Sequence, residues 1–383
     1  MKAYHSGITV AVLAALSGTA LAEATTRVTQ VGDIQSSHVW QSTPDSSITV
    51  EQYGEQNFAG TAEAALRQTA PNSTLSIYQE GHSNSAAVTQ DASDSDVTIV
   101  QRSQTASSPD GSQRQVTVQQ EGGLVFATVA QTGLTGDSSA TLKQNGIRVT
   151  GSIDQGNSRD VHATLIQGGD RTDGAIVQSN ARSSTAFIDQ SQGWAGAAYV
   201  LQQNTVDTLA SIARTGTSTS AQINQSNAWS STARLDLDGP IGIAEVNQYN
   251  TVGSHADVYQ YGLGLETYIA QYGTYDSRAT VRSSGEYNRV SVTQSDGSHV
   301  ADVFQDGIEN QVFASQSGSG NGLTLGQTGD YNDASLNQQG SGNLISLAQA
   351  GLNNAATLSQ AGSGLGAQLI QTGYNNVSTI HQQ

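Results

Sequence analysis

The dominant signal along the chain is a short period-two pattern that recurs every eleven or twelve residues. Its unit reads small-x-aliphatic-x-Gln, as in Ala334-Ser335-Leu336-Asn337-Gln338, with Gly340 two residues later. Side chains two apart in an extended strand share a face, so the small residue, the aliphatic and the Gln point the same way. The Gln column runs through Gln294, Gln305, Gln316, Gln327, Gln338, Gln349, Gln360, Gln371 and Gln382 in uninterrupted steps of 11. Upstream it continues through Gln90 and Gln79 back to Gln30, and Arg214, Leu237 and Ser283 occupy three of its 31 positions. Val, Ile or Leu stands two residues before the anchor in 30 of those 31 units, which excludes chance. Eleven residues are too few for a helical repeat and suit one short strand with one tight turn.

The spacing also predicts how many strands make one coil. From Gln202 to Gln294 the intervals alternate between 12 and 11, so two inequivalent turns alternate along the chain. Two turns per coil means two strands per rung. The expected fold is all-β, a two-strands-per-rung β-solenoid with amyloid-like strand-turn-strand repeats. It would have about 15–16 rungs and, at ~4.8 Å per rung, a length of about 75 Å. The turns are assigned to the residues after each anchor, where Gly or Asn tolerates a left-handed backbone. The candidate turn residues are Gly81, Asn84, Gly307, Asn310, Gly329, Asn332, Gly340, Asn343, Gly351, Asn354, Gly373 and Asn376.

A Gln amide isolated in an apolar core costs a few kcal/mol. Stacked one rung apart, each amide can donate to the next and accept from the one before, as in cross-β ladders. The alternative is a solvent-facing Gln; the parity shared with the aliphatic column favours the inward ladder.

Composition narrows the function. The 383 residues are 36% hydrophobic and 5% aromatic, which makes a layered globular core of this size hard to fill. No Cys is present, excluding a disulfide scaffold, a thiolate metal site and a Cys nucleophile. A net charge of −17 argues against nucleic acid as a partner. The seven His are scattered without metal spacing, so neither metal nor cofactor is expected. Asp296, Asp302, Asp306, Asp330 and Asp333 fall at outward or turn positions, where they keep a free subunit soluble and slow its pairing. Tyr249, Tyr261 and Tyr272 each follow an anchor and are expected to point outward. No nucleophile elbow, phosphate loop or His-Glu-x-x-His is present, so an enzyme is not expected. A polysaccharide-acting solenoid enzyme is the less favoured class, because the tight turns leave little room for a site.

Residues 1–22 have the form of a signal peptide. Lys2 and His5 precede an apolar stretch from Ile8 to Leu16, and Ala20-Leu21-Ala22 supplies a cleavage signal. The apolar stretch is far shorter than the about 20 residues a transmembrane anchor needs, so a secreted chain without a transmembrane segment is expected. Residues 23–383 form the repeat solenoid. Its units are irregular over 26–144, more regular over 145–293, and of perfect 11-residue spacing over 294–382. The long intervals are Gln52 to Gln68, Gln101 to Gln120 and Gln131 to Gln144, with Pro71 and Pro109 in or beside them.

The unit Ser73-x5-Gln79-x-Gly81-x2-Asn84-x-Ala86-x3-Gln90 resembles the curlin repeat at every defining position. Gln327-x-Gly329-x2-Asn332-x-Ala334-x3-Gln338 and Gln349-x-Gly351-x2-Asn354-x-Ala356-x3-Gln360 resemble its second half. In looser form the resemblance covers residues 26–383. It implies a secreted structural subunit that self-assembles into extracellular curli-like functional amyloid fibres on the bacterial surface, serving adhesion and biofilm matrix. The partners it implies are further copies of the chain, joined head to tail, a nucleating curlin subunit and an outer-membrane export apparatus. The chain departs from familiar curlins in having many more units and in lacking a polar stretch before the first one. A monomeric or surface-attached solenoid adhesin is the alternative.

Overall fold

The structure is a computed structural model that describes residues 9–14, 24–60, 65–102, 113–133 and 136–383. Among these residues there is no helix, and no helix long and apolar enough to cross a membrane. The chain divides into two compact units, Met1–Ala195 and Gly196–Gln383. In each, strands alternate between two parallel sheets and pair with the next but one, except that in the first unit Phe58–Ala59 and Leu66–Gln68 follow each other in one sheet. The fold is a β-solenoid with two strands per rung and about 15 turns, as the alternating spacing predicts.

In the second unit the register follows the repeat. Ala210 pairs with Ala233 and Gln225 with Gln248, 23 residues on. From Gln294 onward the step shortens to 22, with Gln294 opposite Gln316 and Gln305 opposite Gln327. Along each strand burial alternates, as in Asp333–Ser341, where Ala334, Leu336 and Gln338 are buried and Asp333, Ser335, Asn337 and Gln339 are exposed. The aliphatics of both sheets fill the interior: Leu325, Leu336, Ile345 and Leu347 are all at most 2% exposed. Each contributes about 1.5–3 kcal/mol on burial.

The first unit keeps the same register across its uneven spacing. Gln52 pairs with Gln79, Gln90 with Gln120 and Gln101 with Gln131, although 27 to 30 residues separate the partners. The extra chain is thus accommodated without shifting the stack. Residues 61–64, 103–112 and 134–135, which belong to these long intervals and include Pro109, lie outside the described residues. So does the cleavage site expected after Ala22. Thr9–Ala14, inside the expected signal peptide, runs as a strand parallel to Ser36–Gln41.

Two kinds of corner explain the two intervals. In the 12-residue corners two left-handed residues flank an apex, as Asn227 (φ 51°) and Ser230 (φ 49°) flank Trp229. The apex residues Val206, Trp229, Val252 and Tyr275 pair as parallel bridges from rung to rung. Most 11-residue corners use a Gly followed, two residues on, by one left-handed residue, as in Gly329 (φ 102°) and Tyr331 (φ 57°), whereas the corner after Gln294 has left-handed Asp296 (φ 62°) directly before Gly297 (φ 127°). Glycine is required there by close approach as well: a Cβ on Gly329 would lie 2.2 Å from the carbonyl oxygen of Gly351.

Candidate functional site

The anchor glutamines face inward and bond to one another along the stack. In one sheet Gln294 Nε2 donates to Gln316 Oε1 at 2.9 Å, Gln316 to Gln338 at 2.9 Å, Gln338 to Gln360 at 3.0 Å and Gln360 to Gln382 at 2.7 Å. In the other, Gln305 donates to Gln327, Gln327 to Gln349 and Gln349 to Gln371, each at 2.8 Å. Gln79 donates to Gln101 at 2.8 Å and Gln90 to Gln120 at 3.2 Å in the first unit. Every donation runs from Nε2 to the following rung. The amide nitrogen also reaches backbone carbonyls of the interior: Gln338 Nε2 lies 3.0 Å from Gly322 O, and Gln349 Nε2 lies 3.1 Å from both Asp333 O and Asn354 O. A buried amide that both donates and accepts in this way escapes the desolvation penalty of an unpaired one.

The interior also explains why a small residue stands four before the anchor. A Cβ on Gly151 would meet Gln167 Oε1 at 2.4 Å, so the small position of one sheet receives the amide of the opposite one. Where Arg214 replaces Gln, a glycine, Gly196, stands against it: a Cβ there would meet Arg214 Nη1 at 1.8 Å. Arg214 is 1% exposed, and Nη1 donates to Thr219 O at 3.2 Å and Thr219 Oγ1 at 2.7 Å. Burial pulls its guanidinium down to about 10.

Arg214, Leu237 and Ser283 all fall in the same sheet, so only that ladder is interrupted in the second unit. Its partner sheet carries Gln at every anchor, including Gln202 to Gln225, Gln248 to Gln271 and Gln271 to Gln294 at 2.8–2.9 Å.

The residues assigned to turns separate into two roles. Gly81, Gly307, Gly329, Gly340, Gly351 and Gly373 have φ between 101° and 127° and shape the corners. The asparagines stand in the same corners but do not themselves adopt the left-handed backbone. Asn84, Asn310, Asn332, Asn343 and Asn354 are buried and Asn376 half-buried, and the left-handed residue is the one before each: Ser83, Glu309, Tyr331, Gly342, Asn353 and Asn375. The Asn amides form ladders of their own. Asn332 Nδ2 donates to Asn310 Oδ1 at 3.0 Å, Asn354 to Asn332 at 2.9 Å and Asn376 to Asn354 at 2.8 Å. Asn343 offers its Nδ2 to Gly362 O at 3.1 Å while its backbone N–H donates to Asn321 Oδ1 at 3.0 Å. Along these ladders an Asn Oδ1 such as that of Asn310, Asn332 or Asn354 accepts from the following rung, whereas a Gln Oε1 accepts from the preceding one wherever that rung carries Gln. The signal for this inward role is present in the sequence: counting back in twos from Gln316 gives Ala314, Val312 and Asn310 on one face.

On the outer face Tyr249 and Tyr272 are register neighbours, 47% and 45% exposed, and Tyr261 is exposed on the other sheet. Among the described residues no group of three or more His, Asp or Glu is arranged to hold a metal ion.

The model of the curlin associated repeat matches residues 70–102 and 329–362. No curated protein matches the chain significantly. The first match contains Gln79, Gln90 and Gln101 with Asn84, and the second contains Gln338, Gln349 and Gln360 with Asn332, Asn343 and Asn354. Both fall in frame with the two ladders, and with the solenoid fold they point to a structural subunit rather than an enzyme and support assignment of the chain to the curlin family.

Proposed function

We propose that the chain is a secreted subunit that assembles head to tail into extracellular curli-like amyloid fibres of a bacterial surface, serving adhesion and biofilm matrix. The observation that carries this reading is the equivalence of successive rungs. Over residues 294–382 a step of 22 residues maps each Gln and its amide bond onto the next, at 2.7–3.0 Å throughout. A rung therefore offers a second copy the same backbone and amide rows that it offers its own neighbour, which is the physical basis of templated strand addition. A nucleating curlin subunit would present such a template first, and an outer-membrane export apparatus would deliver the chain to it.

The test is assembly of purified residues 23–383. Thioflavin-binding fibrils with a meridional reflection near ~4.7–4.8 Å are expected. A protein that stays monodisperse for days at micromolar concentration, with no such reflection, would overturn the fibre and favour a monomeric or surface-attached adhesin.

A further inference from the structure

At the 12-residue corners of the second unit a buried column of small hydroxyl side chains runs up the stack. Ser254 N–H donates to Ser231 Oγ at 3.3 Å and Ser277 N–H to Ser254 Oγ at 3.4 Å. At the 11-residue corners above them, Asn343 N–H donates to Asn321 Oδ1 at 3.0 Å. In every case a side-chain acceptor of one rung receives the corner N–H of the next. His299 stands where one kind of corner gives way to the other, as the interval from Gln271 to Ser283 is 12 and that from Gln294 to Gln305 is 11. Its own N–H donates to Ser277 Oγ at 2.9 Å, and Asn321 N–H donates to its Nδ1 at 3.4 Å.

The imidazole is the one titratable member of this run of acceptors, and it is 1% exposed. With Nδ1 accepting from Asn321, the ring proton sits on Nε2, which donates to Ser295 O at 2.9 Å. Both ring nitrogens are thus used by the neutral form. A second proton has to go on Nδ1, where it would face the Asn321 N–H donor to donor. Serine and asparagine in the same column accept at any pH.

We propose that His299 is an acid-sensitive joint in the corner column: protonation at Nδ1 removes the acceptor for Asn321 N–H and breaks that one link between the two corners, while the links on either side, from His299 N–H to Ser277 and from Asn343 N–H to Asn321, hold. The charged and titratable groups of the surrounding corners are Asp296 beside it and Tyr275, Asp276 and Arg278 in the preceding rung. The corner of the following rung, Ser317–Asn321, has none. Burial lowers the proton affinity of the ring, and the Ser295 and Asp296 contacts oppose that only in part. An imidazole depressed in the folded state is protonated first in the open state. Stability of this corner is therefore full above the ordinary histidine range, near about 6.5, and is lost as pH falls through it.

The test is hydrogen exchange of the folded full chain at about pH 7 and about pH 5, corrected for the intrinsic rate at each pH. Asn321 N–H should lose roughly tenfold or more of its protection at the lower pH. Asn343 N–H, whose acceptor is an amide in the same column, should keep its protection. His299→Asn, which places there the residue used one rung later, should abolish the difference. Equal protection of Asn321 at both pH values would overturn the proposal, as would a pH-dependent loss that persists in His299→Asn or is shared by Asn343. If the variant does not fold, the comparison of Asn321 with Asn343 in the unaltered chain still decides. The measurement reads one corner of the folded chain and does not depend on fibre formation.

Discussion

Oε1 of Gln305 lies one rung beyond Ser283, whose hydroxyl does not reach it, and neither buried atom has a hydrogen-bond partner. Gln260 Oε1 is in the same position after Leu237, which has no donor to give. Each gap follows from the direction of the ladder: a missing Gln leaves the acceptor of the following rung unserved.

Restoring the column should therefore stabilise the fold. Ser283→Gln is expected to donate to Gln305 Oε1 and to accept from Gln260, raising stability by about 1 kcal/mol. The midpoint of denaturant unfolding measures this, with Ser284→Gln on the outer face as control. A drop in the midpoint for Ser283→Gln would mean that the larger side chain is not accommodated.

Charge at an inward anchor should slow assembly. Gln338→Glu and Gln349→Glu each lose the amide donor and bury a carboxylate, at a cost of several kcal/mol while it stays ionised. Asn337→Glu, one residue away on the exposed face, should change the assembly rate much less. Equal lag times for Gln338→Glu and Asn337→Glu would remove the inward ladder from the assembly mechanism.

The corner glycines should be less tolerant than strand glycines. Gly329→Ala puts a Cβ 2.2 Å from Gly351 O at φ 102°, and a loss of order 1–3 kcal/mol is expected. Gly326 has nothing within 4 Å of its Cβ position, so Gly326→Ala should be neutral or stabilising. Thermal unfolding of the two variants separates them, and similar melting shifts would contradict the close-approach argument.

Assembly should begin in the segment of regular spacing. A fragment of residues 283–383 is expected to form fibrils alone and to seed the full chain, whereas residues 23–130 do so poorly. Lag times at equal concentration and salt make the comparison. Faster nucleation by the N-terminal fragment would show that regular spacing does not govern initiation, and would shift attention to Asp296, Asp302, Asp306, Asp330 and Asp333 as the groups that delay the C-terminal one.

The strand, the face of each side chain and the two-stranded rung were legible because period two and the 12/11 alternation survive in the residue pattern itself. The corners were harder to read. Asn310 follows its anchor Gln305 by five residues, an odd offset that hides its face when counted forward, and Asn is also a common turn residue. Only the count backward from Gln316 places it with Val312 and Ala314. The pairing of Gln90 with Gln120 was hidden for a different reason: the interval between anchors reports chain length, while the register is decided by which strand faces pack together. The apposition of Gly196 and Arg214 lay beyond the pattern altogether, since it joins residues of opposite sheets.

The opposite senses of the two ladders have an electrostatic consequence. A carboxamide is a dipole, and a column of them pointing one way would add its moments rung after rung, as aligned peptide units do in a helix. Gln Oε1 points back along the stack to receive its donor, whereas Asn Oδ1 points forward to receive from Asn332, Asn354 and Asn376. The side-chain moments of the two columns therefore oppose each other in the rungs that carry Asn310, Asn332, Asn354 and Asn376. Over those rungs the Asn column offsets part of the axial moment that the Gln columns would otherwise build up, so a rung added there meets a smaller amide field than the Gln ladders alone would present.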